Sequence, residues 1–451
     1  MSGWSVLVAV LMLGVLVTVH ELGHFWVARL LKIKAYELSI FVGPKLLNWK
    51  RKGIEYSIRA LPFGAYVRFT DLDENGKIKD PDDPELLTNQ PRWKRLLVAL
   101  AGPLMNLVLG VLIFAAVFSL TGFSTLEIND SVAGSQLREL VDQDNTQFQY
   151  GDVLLRVNGD RVVTAYDYMY EEDKGVFLTD PMILTMRSHT TGEIYEIELD
   201  PQVEERSMIG ISHSVDIDTT YNGWEIYEVS QFQNNGDPVL EAGDYLTKVN
   251  GVSVTEDNIN DYLESLNDGD TMRLTYIRNG VEHEEDCVRT MMVYTNPRGP
   301  MFRTCRVRDL STFLTTLKAA CAMPYTIINV SIRSIGDVFE GEEKVYNMVS
   351  GPVGLTTVVS DTVDDVDDTV NEKAVSLFQM AALLSIGLMI TNFLPLPGLD
   401  GNQLVLIIVE MVLGHKLSKK RENVINTVGF VMLVCLMVFA LASDILRIIL
   451  D

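Results

Sequence analysis

Long apolar runs alternate with polar stretches along this chain and divide it into apolar ends and an aqueous middle. Apolar residues dominate segments 4–31, 96–120, 374–396 and 424–442. Each is long enough to cross a hydrocarbon core of about 30 Å as a helix, which takes about 20 residues. The pattern therefore predicts four transmembrane helices. The first has no basic region before it and no small-residue cleavage site, so we expect it to be retained rather than removed as a signal peptide.

The polar middle of the chain contains an internal repeat with a strand-like pattern. A segment at Tyr150, YGDVLLRVNGDRV, recurs 92 residues later at Ala242 as AGDYLTKVNGVSV. In both copies Gly-Asp opens an alternating strand and Asn-Gly closes a tight turn, which is typical of a hairpin. The repeat predicts two strand-rich modules and resembles the PDZ domains of bacterial membrane proteases. Two β modules without a peptide groove are the alternative, and a polar insertion at residues 139–149 bears on the groove of the first copy.

The negative charge of the chain is concentrated in this middle part. Residues 121–300 hold 35 acidic and 11 basic side chains, a difference of −24 that equals the formal net charge of the whole 451-residue chain. Such an acidic block argues against binding of nucleic acid or anionic lipid there. The chain also lacks a GxxxxGK[ST] loop, so we expect no nucleotide partner. Pairing between Cys287 and Cys305 is left open, with unpaired thiols as the alternative.

Lysine and arginine are clustered on the segments that join the predicted helices in pairs. Nine lie between residues 29 and 68, three more lie at 92–95, and the run HKLSKKRE separates the third and fourth apolar segments. Because basic loops stay on the cytoplasmic side, both connecting segments are predicted to be cytoplasmic. Both termini and the repeated modules are then extracytoplasmic.

The first predicted transmembrane helix carries ionisable side chains in the sequence HELGH at residues 20–24. Such groups are costly at membrane depth and usually have a function. On a helix, His20 and His24 lie on one face, where two neutral imidazoles can bind one metal ion. Glu21 stands beside them and can take a proton from metal-bound water, an arrangement typical of hydrolytic zinc. A bis-histidine haem or quinone site is the alternative, but such ligands come from facing helices, and the other histidines lie outside the predicted helices.

Zinc needs a third protein ligand, and Asp400 is the predicted one. It follows Pro395 and Pro397 in TNFLPLPGLDGNQL, where the prolines must end the third helix. Unwound backbone at membrane depth is tolerated where it is buried in protein or lines a cavity, and Asp400 lies at the same cytoplasmic end as His24. Glu410 is the second candidate, but its amphipathic surroundings are typical of a surface carboxylate.

A segment after the first helix has the pattern of a site for an extended peptide. The sequence GIEYSIRALPFGAYVRF alternates on both sides of Pro62 and Gly64, which predicts a membrane-associated β-hairpin whose edge an unwound substrate can join. An ordinary cytoplasmic hairpin is the alternative. Asn392 either donates to the substrate backbone or a developing oxyanion, or ties off carbonyls freed by the proline break. The predicted substrate-binding residues are Gly64, Tyr66, Asn392 and Pro397.

Two separated motifs together resemble a known family. HELGH and the pattern N-x-x-P-x-P-x-L-D-G at residues 392–401 are similar to the site-2 protease family of intramembrane zinc metalloproteases, in particular its bacterial branch, the regulator of sigma-E protease. AGPLMN, with Gly102 and Asn106, and SGPVGL at Ser350 match further elements of that family. Asn402 departs from the family's usual glycine, but the ligand before it is kept, so we expect little effect on metal binding.

Pattern and resemblance together predict a multi-pass α-helical membrane protein with four transmembrane helices, two inserted extracytoplasmic PDZ-like α+β domains and a membrane-associated β-hairpin. The expected boundaries are 1–34 for transmembrane helix 1 with HExxH, 35–92 for the cytoplasmic loop with the β-hairpin, 93–122 for helix 2, 125–212 and 213–300 for the PDZ-like domains, 308–340 for an amphipathic surface helix, 374–414 for helix 3 with its proline motif, and 422–448 for helix 4.

The resemblance also implies a function. It implies a protease of the bacterial inner membrane that cleaves the transmembrane segments of single-pass proteins, such as pre-trimmed anti-sigma factors or remnant signal peptides, near the cytoplasmic side. Zn²⁺ is the implied cofactor, with His20, His24 and Asp400 as ligands and Glu21 as the catalytic base. The lipid bilayer and single-pass substrates are the implied partners. A non-catalytic membrane scaffold that binds peptides through its PDZ domains is the alternative.

Overall fold

The computed structural model describes residues 3–71, 79–131, 136–142, 147–173, 181–199, 203–213, 220–230, 233–255, 263, 266, 269–295, 300–340, 352–364 and 369–450. The chain forms two compact units. One comprises Met1–Thr125, Val163–Tyr170 and Thr304–Asp451 and is mainly helical, whereas the other comprises Leu126–Val162 and Glu171–Arg303 and is rich in strands.

The described helices are α1 (Gly3–Leu30), α2 (Arg92–Thr121), α3 (Gln136–Asp142), α4 (Ala165–Asp173), α5 (Leu310–Glu340), α6 (Pro352–Asp364), α7 (Val370–Asn392), α8 (Asp400–Leu413) and α9 (Lys419–Leu450). The described strands are β1 (Glu37–Arg51), β2 (Ile54–Arg68), β3 (Phe123–Ser131), β4 (Val153–Val157), β5 (Asp160–Arg161), β6 (Met182–Arg187), β7 (Ile194–Leu199), β8 (Val203–Met208), β9 (Ile211–His213), β10 (Trp224–Val229), β11 (Tyr245–Val249), β12 (Val252–Ser253), β13 (Thr271–Arg278), β14 (Val281–Val288), β15 (Thr290–Thr295) and β16 (Pro300–Cys305).

Three of the described helices, α1, α2 and α7, are long and apolar enough to span a bilayer. The helix expected at 422–448 falls in α9, whose described apolar stretch is the shorter Val424–Ala440. Four transmembrane helices therefore remain a prediction. Helix α7 ends at Asn392 and α8 begins at Asp400, so the backbone around Pro395 and Pro397 is outside both helices.

Small residues let these long helices approach one another closely. A Cβ added at Gly23 in α1 would lie 2.4 Å from the carbonyl oxygen of Ala101 in α2. One added at Gly110 in α2 would lie 2.7 Å from Cγ1 of Ile386 in α7. Glycine at such crossings allows close backbone packing, which is a main source of helix association in membranes. The buried core between α2, α5 and α7 consists of Phe114, Val117, Phe118, Ala320, Met323, Ala382, Ile386 and Met389.

Helix α5 occupies the segment for which an amphipathic surface helix was expected. Ala320 and Met323 on one side of it are buried in the core shared with α2 and α7. Phe313 and Ile332 are 43% and 64% exposed. The helix therefore packs on the helical unit with part of its surface and leaves other apolar side chains uncovered, so it is not only a surface element.

Strands β1 and β2 form a sheet in which one segment is paired on both sides. Leu38 in β1 pairs with Val67 and also with Tyr56, which both belong to β2. The chain reverses around Pro62 and Gly64, as the alternation predicted, but the two arms do not pair with each other as a simple hairpin. The first part of β1 lies between them. A third strand gives the sheet the hydrogen bonds and packing that an isolated two-stranded hairpin lacks.

The reversal in β2 reaches helix α1. A Cβ added at Gly14 would lie 2.2 Å from the carbonyl oxygen of Pro62 and 3.0 Å from Cε1 of Phe41. At its other end the sheet contacts Phe25, whose ring packs edge-on against Tyr56 with 6.1 Å between centroids. The sheet therefore lies along the part of α1 that contains HELGH.

Two sheets in the middle of the chain share the same order of equivalent strands. One runs β16-β3-β4-β6-β7 with β5 paired to β4, and the other runs β14-β13-β11-β10-β9 with β12 paired to β11. Asn158 and Asn250 begin the equivalent Asn-Gly turns with φ of 48° and 49°, as a type I′ turn requires. The Oδ1 atom of each accepts a 2.7 Å hydrogen bond, from the backbone N–H of Ile183 and of Arg273 respectively. The two copies of the repeated segment thus have the same local fold.

The aspartate of each Gly-Asp pair fastens the turn before its strand. Asp152 Oδ2 accepts a hydrogen bond from the N–H of Gln149 (3.1 Å), and Asp244 Oδ2 accepts the equivalent bond (2.8 Å). Asp152 is fully buried and also accepts bonds from the Tyr195 hydroxyl and the His189 N–H. Burial raises the pKa of the Asp152 carboxyl, but these donors outweigh burial and hold its pKa below the usual range.

Replacement of Asp152 by asparagine is expected to destabilise the first of these sheets by about 1–3 kcal/mol at pH 7, because buried donors lose an ionised acceptor. A depressed folded pKa means that the stabilisation is present above the unfolded value of about 3.9 and is lost as pH falls through the folded pKa. The difference between wild type and variant should therefore shrink below about pH 4. Hydrogen exchange of strand β4 in the full-length protein measures it, and the exposed Glu198→Gln change on β7 is the matched control. Equal effects of the two variants would contradict this role of Asp152.

Candidate metal centre

His20 and His24 lie one turn apart on the same face of α1, and each is 7% exposed. Their Nε2 atoms are 3.2 Å apart and their ring planes meet at 79°. The spacing of four residues produces this, since helical positions i and i+4 share a face. Two ring nitrogens therefore point at one place.

Asp400 is brought to the same place by the break between α7 and α8. Its Oδ2 atom lies 2.9 Å from Nε2 of His20 and 3.1 Å from Nε2 of His24. Helix α8 begins at Asp400, and Gly401 fits tightly against the loop before it, where an added Cβ would lie 2.2 Å from the carbonyl oxygen of Leu394. The proline-containing turn thus delivers a carboxylate that is 376 residues from His24 in sequence.

These three atoms have the spacing that a tetrahedral metal ion requires. Zinc bonds of about 2.0–2.1 Å place neighbouring ligand atoms about 3.3 Å apart. The observed separations are 2.9, 3.1 and 3.2 Å. Two imidazoles and one carboxylate leave a fourth position open, which is the donor set of a catalytic zinc site. The three side chains therefore fit a bound zinc ion.

Groups on α2 hold the two imidazoles in metal-binding tautomers. Nδ1 of His24 donates to the carbonyl oxygen of Val98 at 2.7 Å, which leaves Nε2 free for a metal. Nδ1 of His20 lies 3.2 Å from Nδ2 of Asn106, whose buried Oδ1 has no hydrogen-bond partner in the described part of the chain. Exchanging oxygen and nitrogen of that amide lets Oδ1 accept from His20 and frees its Nε2 as well. A metal-binding His20 therefore explains the unpaired amide oxygen.

Gly102 provides the space for the ligand atoms. A Cβ added there would lie 2.3 Å from Nε2 of His24 and 2.6 Å from Nε2 of His20. Atoms in van der Waals contact are about 3.5–4.0 Å apart, so no larger residue fits without displacing both rings. The family resemblance pointed to Gly102 and Asn106, and both border the histidines.

The β1–β2 sheet positions the side chain of Glu21 through a backbone hydrogen bond. Its Oε2 atom accepts a hydrogen bond from the backbone N–H of Val67 in β2 at 3.1 Å. Val67 is paired with Leu38 on one side only, so the last part of β2 is an edge of the sheet. The sequence did not identify Val67, because a backbone N–H leaves no signal in residue type. The edge strand and the carboxylate are therefore in direct contact.

The buried carboxylate of Glu37 holds this edge strand in position from the neighbouring strand β1. Glu37 in β1 is 4% exposed and accepts hydrogen bonds from Arg59 (2.9 Å) and from the Tyr66 hydroxyl (3.0 Å). Burial raises the pKa of the Glu37 carboxyl, but Arg59 and Tyr66 outweigh it and the pKa lies below its usual range. The side chain of Tyr66, a predicted substrate-binding residue, is thus engaged within the sheet.

The other predicted substrate-binding residues lie around the two breaks in regular structure. Gly64 has φ of 81° in the reversal of β2. Asn392 Nδ2 donates to the carbonyl oxygen of Leu388, one turn back in α7, at 2.9 Å. Pro397 lies against α9, where a Cβ added at Gly429 would be 2.2 Å from its Cδ.

Glu410, the second candidate for the third ligand, lies elsewhere. It is 7% exposed, so the expectation of a surface carboxylate was wrong. Arg95 in α2 donates to its Oε2 at 2.8 Å, and the N–H of Leu417 donates to its Oε1 at 3.3 Å. The Glu410–Arg95 pair ties α8 to α2. Ser350 and Gly351 of the SGPVGL segment lie outside the described residues.

Comparison with known proteins agrees with this site. Peptidase family M50 matches residues 8–436. A protein of Clostridium acetobutylicum named as a zinc metalloprotease is 25% identical over 445 residues, which cover 99% of this chain and 98% of the relative. The regulator of sigma E protease of Salmonella typhi is 25% identical over 468 residues, covering 98% and 99%.

A protein of Neisseria meningitidis, also named as a zinc metalloprotease, is 25% identical over 451 residues, which cover 96% of this chain and 97% of the relative. The likeness to each relative extends over nearly all of both sequences, and the family match includes HELGH and Asp400. The chain therefore belongs to Peptidase family M50 and is a zinc metalloprotease of the site-2 type.

Proposed function

We propose that this protein cleaves transmembrane segments of single-pass proteins, with zinc held by His20, His24 and Asp400 and with Glu21 as the base. The observation that carries the proposal is the convergence of these groups in one helical unit. Three ligand atoms lie within 3.2 Å of one another, and the carboxylate beside them is bonded to the edge of a sheet. Two histidine ligands on a helix long enough to span a membrane, with the carboxylate from the break after α7 and a strand edge beside them, suit hydrolysis of a peptide bond within the bilayer.

The substrate is proposed to bind as an added strand at the edge formed by residues 65–68. A helical peptide bond is shielded by its own hydrogen bonds, so the substrate has to become extended before cleavage. The N–H of Val67 points away from Leu38 and towards Glu21, and residues two apart in a strand point the same way. Ala65 thus offers its backbone groups on the same side. Strand addition there aligns a scissile bond with Glu21 and the ligand cluster.

The contact of the sheet with α1 supports binding of such a substrate within the membrane. The carbonyl oxygen of Pro62 lies against Gly14, which precedes His20 by six residues, or about 9 Å along a helix. Gly64 permits the reversal that brings the edge strand back along α1. We assign Gly64 and Tyr66 to the strand that forms this docking edge, where Tyr66 holds the strand to Glu37 while Ala65 and Val67 present their backbone groups, and we assign Asn392 and Pro397 to the opposite wall formed by the proline break.

In the reaction, bound zinc supplies a Lewis acid that polarises the carbonyl and makes water more acidic. Glu21 removes one proton from the attacking water, whose oxygen forms the new bond to the scissile carbonyl carbon. The carbon–nitrogen bond then breaks, and Glu21 returns the proton to the leaving amine. Val67 orients the carboxylate for both transfers, and the buried Glu37 keeps the strand that carries Val67 in position.

The proposal extends to the class of substrate and to the orientation of the protein in the membrane. Relatives from Salmonella are named as regulators of sigma E protease, which supports anti-sigma factors as one substrate class. Remnant signal peptides are a second proposed class, which the family resemblance implies. The basic segments support a cytoplasmic position for the β1–β2 sheet at a bacterial inner membrane, with both termini outside. The repeated sheets are then extracytoplasmic PDZ-like domains that exclude substrates with bulky external parts.

Cleavage of a single-pass reporter with a short external tail tests this function. Purified wild-type protein in lipid nanodiscs is expected to cut the reporter within its transmembrane segment, to stop after zinc is chelated, and to recover when zinc is restored. Mass spectrometry of the products locates the cut. A reporter with a large folded external domain is the control for size exclusion. Binding without cleavage of several reporters by zinc-loaded protein would instead support the membrane scaffold.

A further inference from the structure

Cationic side chains converge where the C-terminal end of α1 meets the turn between β1 and β2. Arg29 lies in the last turn of α1, and Arg51 and Lys52 form the start of the β turn. All three are exposed. A cavity of about 280 Å³ opens between them, lined by Phe25, Trp26, Arg29, Arg51, Lys52 and Tyr56.

None of these three cations has an ion-pair partner among the residues that the structure describes, and the guanidinium carbon of Arg29 lies 5.9 Å from the centre of the Phe25 ring. Elsewhere around the sheet and its flanking helices, several cations are paired, whereas Lys32 and Lys50 have no partner among the described residues but do not line the cavity. The pairs are Lys34 with Asp83 (3.0 Å), Lys45 with Glu55, Arg59 with Glu37 (2.9 Å) and Arg95 with Glu410 (2.8 Å). Three positive charges without an ion-pair partner around one cavity therefore favour binding of an anion from outside the chain.

The backbone geometry of the turn between β1 and β2 does not explain why residue 52 is lysine. Arg51 pairs with Ile54, so Lys52 and Gly53 form a two-residue turn with φ of 52° and 79°. Asparagine or glycine suits the first of these positions, whereas a long side chain with positive φ costs free energy. Lysine at position 52 therefore does not favour the turn. Its contribution is the ammonium group that it brings to the cavity.

The walls of the cavity favour a lipid phosphate over a soluble anion. Leu47, Trp49 and Arg51 alternate along β1 and so share a face, and the first two are 62% and 49% exposed. Trp26 and Leu30 on α1 are 52% and 81% exposed beside it. Tryptophan and arginine side chains next to exposed leucines are typical of the membrane–water interface. Guanidinium groups bind phosphate oxygens through paired hydrogen bonds.

We propose that this cavity binds the phosphate headgroup of an anionic phospholipid, with the acyl chains against the exposed leucines. Arg29 and Arg51 contact the phosphate from α1 and from the sheet, and Lys52 adds charge at the rim. A lipid held in this way joins the end of α1 to the β1–β2 sheet. Phe25, which borders the cavity, follows the metal-ligand candidate His24 directly in sequence.

Native mass spectrometry of the full-length protein in detergent tests this site by binding, independently of cleavage. Phosphatidylglycerol is titrated against zwitterionic phosphatidylcholine. Wild type is expected to retain phosphatidylglycerol preferentially, and the Arg51→Gln/Lys52→Gln double variant to lose at least about tenfold in its affinity, as removal of two interfacial cations predicts. The matched control is Lys32→Gln/Lys50→Gln, which removes two exposed cations from the same basic segment and leaves the cavity intact.

Each result decides the proposal. Loss of phosphatidylglycerol in the cavity variant alone supports it. Equal loss in both double variants would show a general surface charge effect and overturn the cavity as a site. Inorganic phosphate that displaces the lipid at equal concentration would overturn the lipid assignment in favour of a soluble phosphate. Circular dichroism of both variants shows whether they are folded.

Discussion

Glu21→Gln is expected to lower the cleavage rate by a factor of about 10²–10⁴ while the protein retains its zinc. This range is the usual contribution of a general acid–base group. Glutamine has the same shape, and its amide oxygen can still accept the hydrogen bond from the N–H of Val67, so the sheet edge should stay in place. It cannot accept the proton of water at neutral pH. Rates with the single-pass reporter and zinc content by elemental analysis are the two measurements.

The control is Glu85→Gln, which removes an exposed carboxylate from the segment between β2 and α2. It should leave both rate and zinc content at the wild-type level. A Glu21→Gln variant that cleaves at more than about a tenth of the wild-type rate would rule out Glu21 as the base, given the size of such contributions. Loss of zinc together with activity would show instead that Glu21 supports the metal site.

Gly102→Ala is expected to abolish zinc binding and, with it, cleavage. The added methyl group would lie 2.3 Å from Nε2 of His24 and 2.6 Å from Nε2 of His20, and these are the ligand atoms themselves. Helix α2 cannot retreat easily, because Gly23 of α1 already lies against its backbone at Ala101. Both rings must move by about 1 Å to reach van der Waals distance, which is about half the length of a zinc–ligand bond of about 2.0–2.1 Å, so the ligand geometry is lost.

Gly387→Ala is the matched control for this prediction. Gly387 lies in α7, another helix long enough to span the membrane, and an added Cβ there meets nothing within 4 Å. Zinc content should therefore be unchanged in that variant, and helix propensity should rise slightly. Retention of zinc by Gly102→Ala would show that the metal does not lie between His20 and His24.

The chemistry of the candidate site was readable from local sequence. The four-residue spacing predicted that His20 and His24 share a helix face, and their Nε2 atoms are 3.2 Å apart. The prolines predicted an unwound segment before Asp400, and the carboxylate of Asp400 lies beside both histidines. These predictions depended on helix geometry and on the missing N–H of proline, which act over a few residues.

The repeated modules were also predicted from local signals. Gly-Asp and Asn-Gly each specify a turn through their own backbone and side-chain chemistry, and the two copies share their hydrogen bonds at Asn158 and Asn250. Whether the sheets bind peptides is a question of groove shape, which no turn motif encodes.

Only the tertiary structure decided what surrounds the site. The N–H of Val67 on Glu21, the space at Gly102, the burial of Glu410 and the strand between the arms of β2 all depend on contacts between distant segments. The cavity that Arg29 of α1 shares with Arg51 and Lys52 of the sheet also depends on such packing. The physical reason is that backbone groups and empty space have no residue type of their own. A sequence pattern can specify an element and the side chains it presents, whereas their partners are set by how the elements pack.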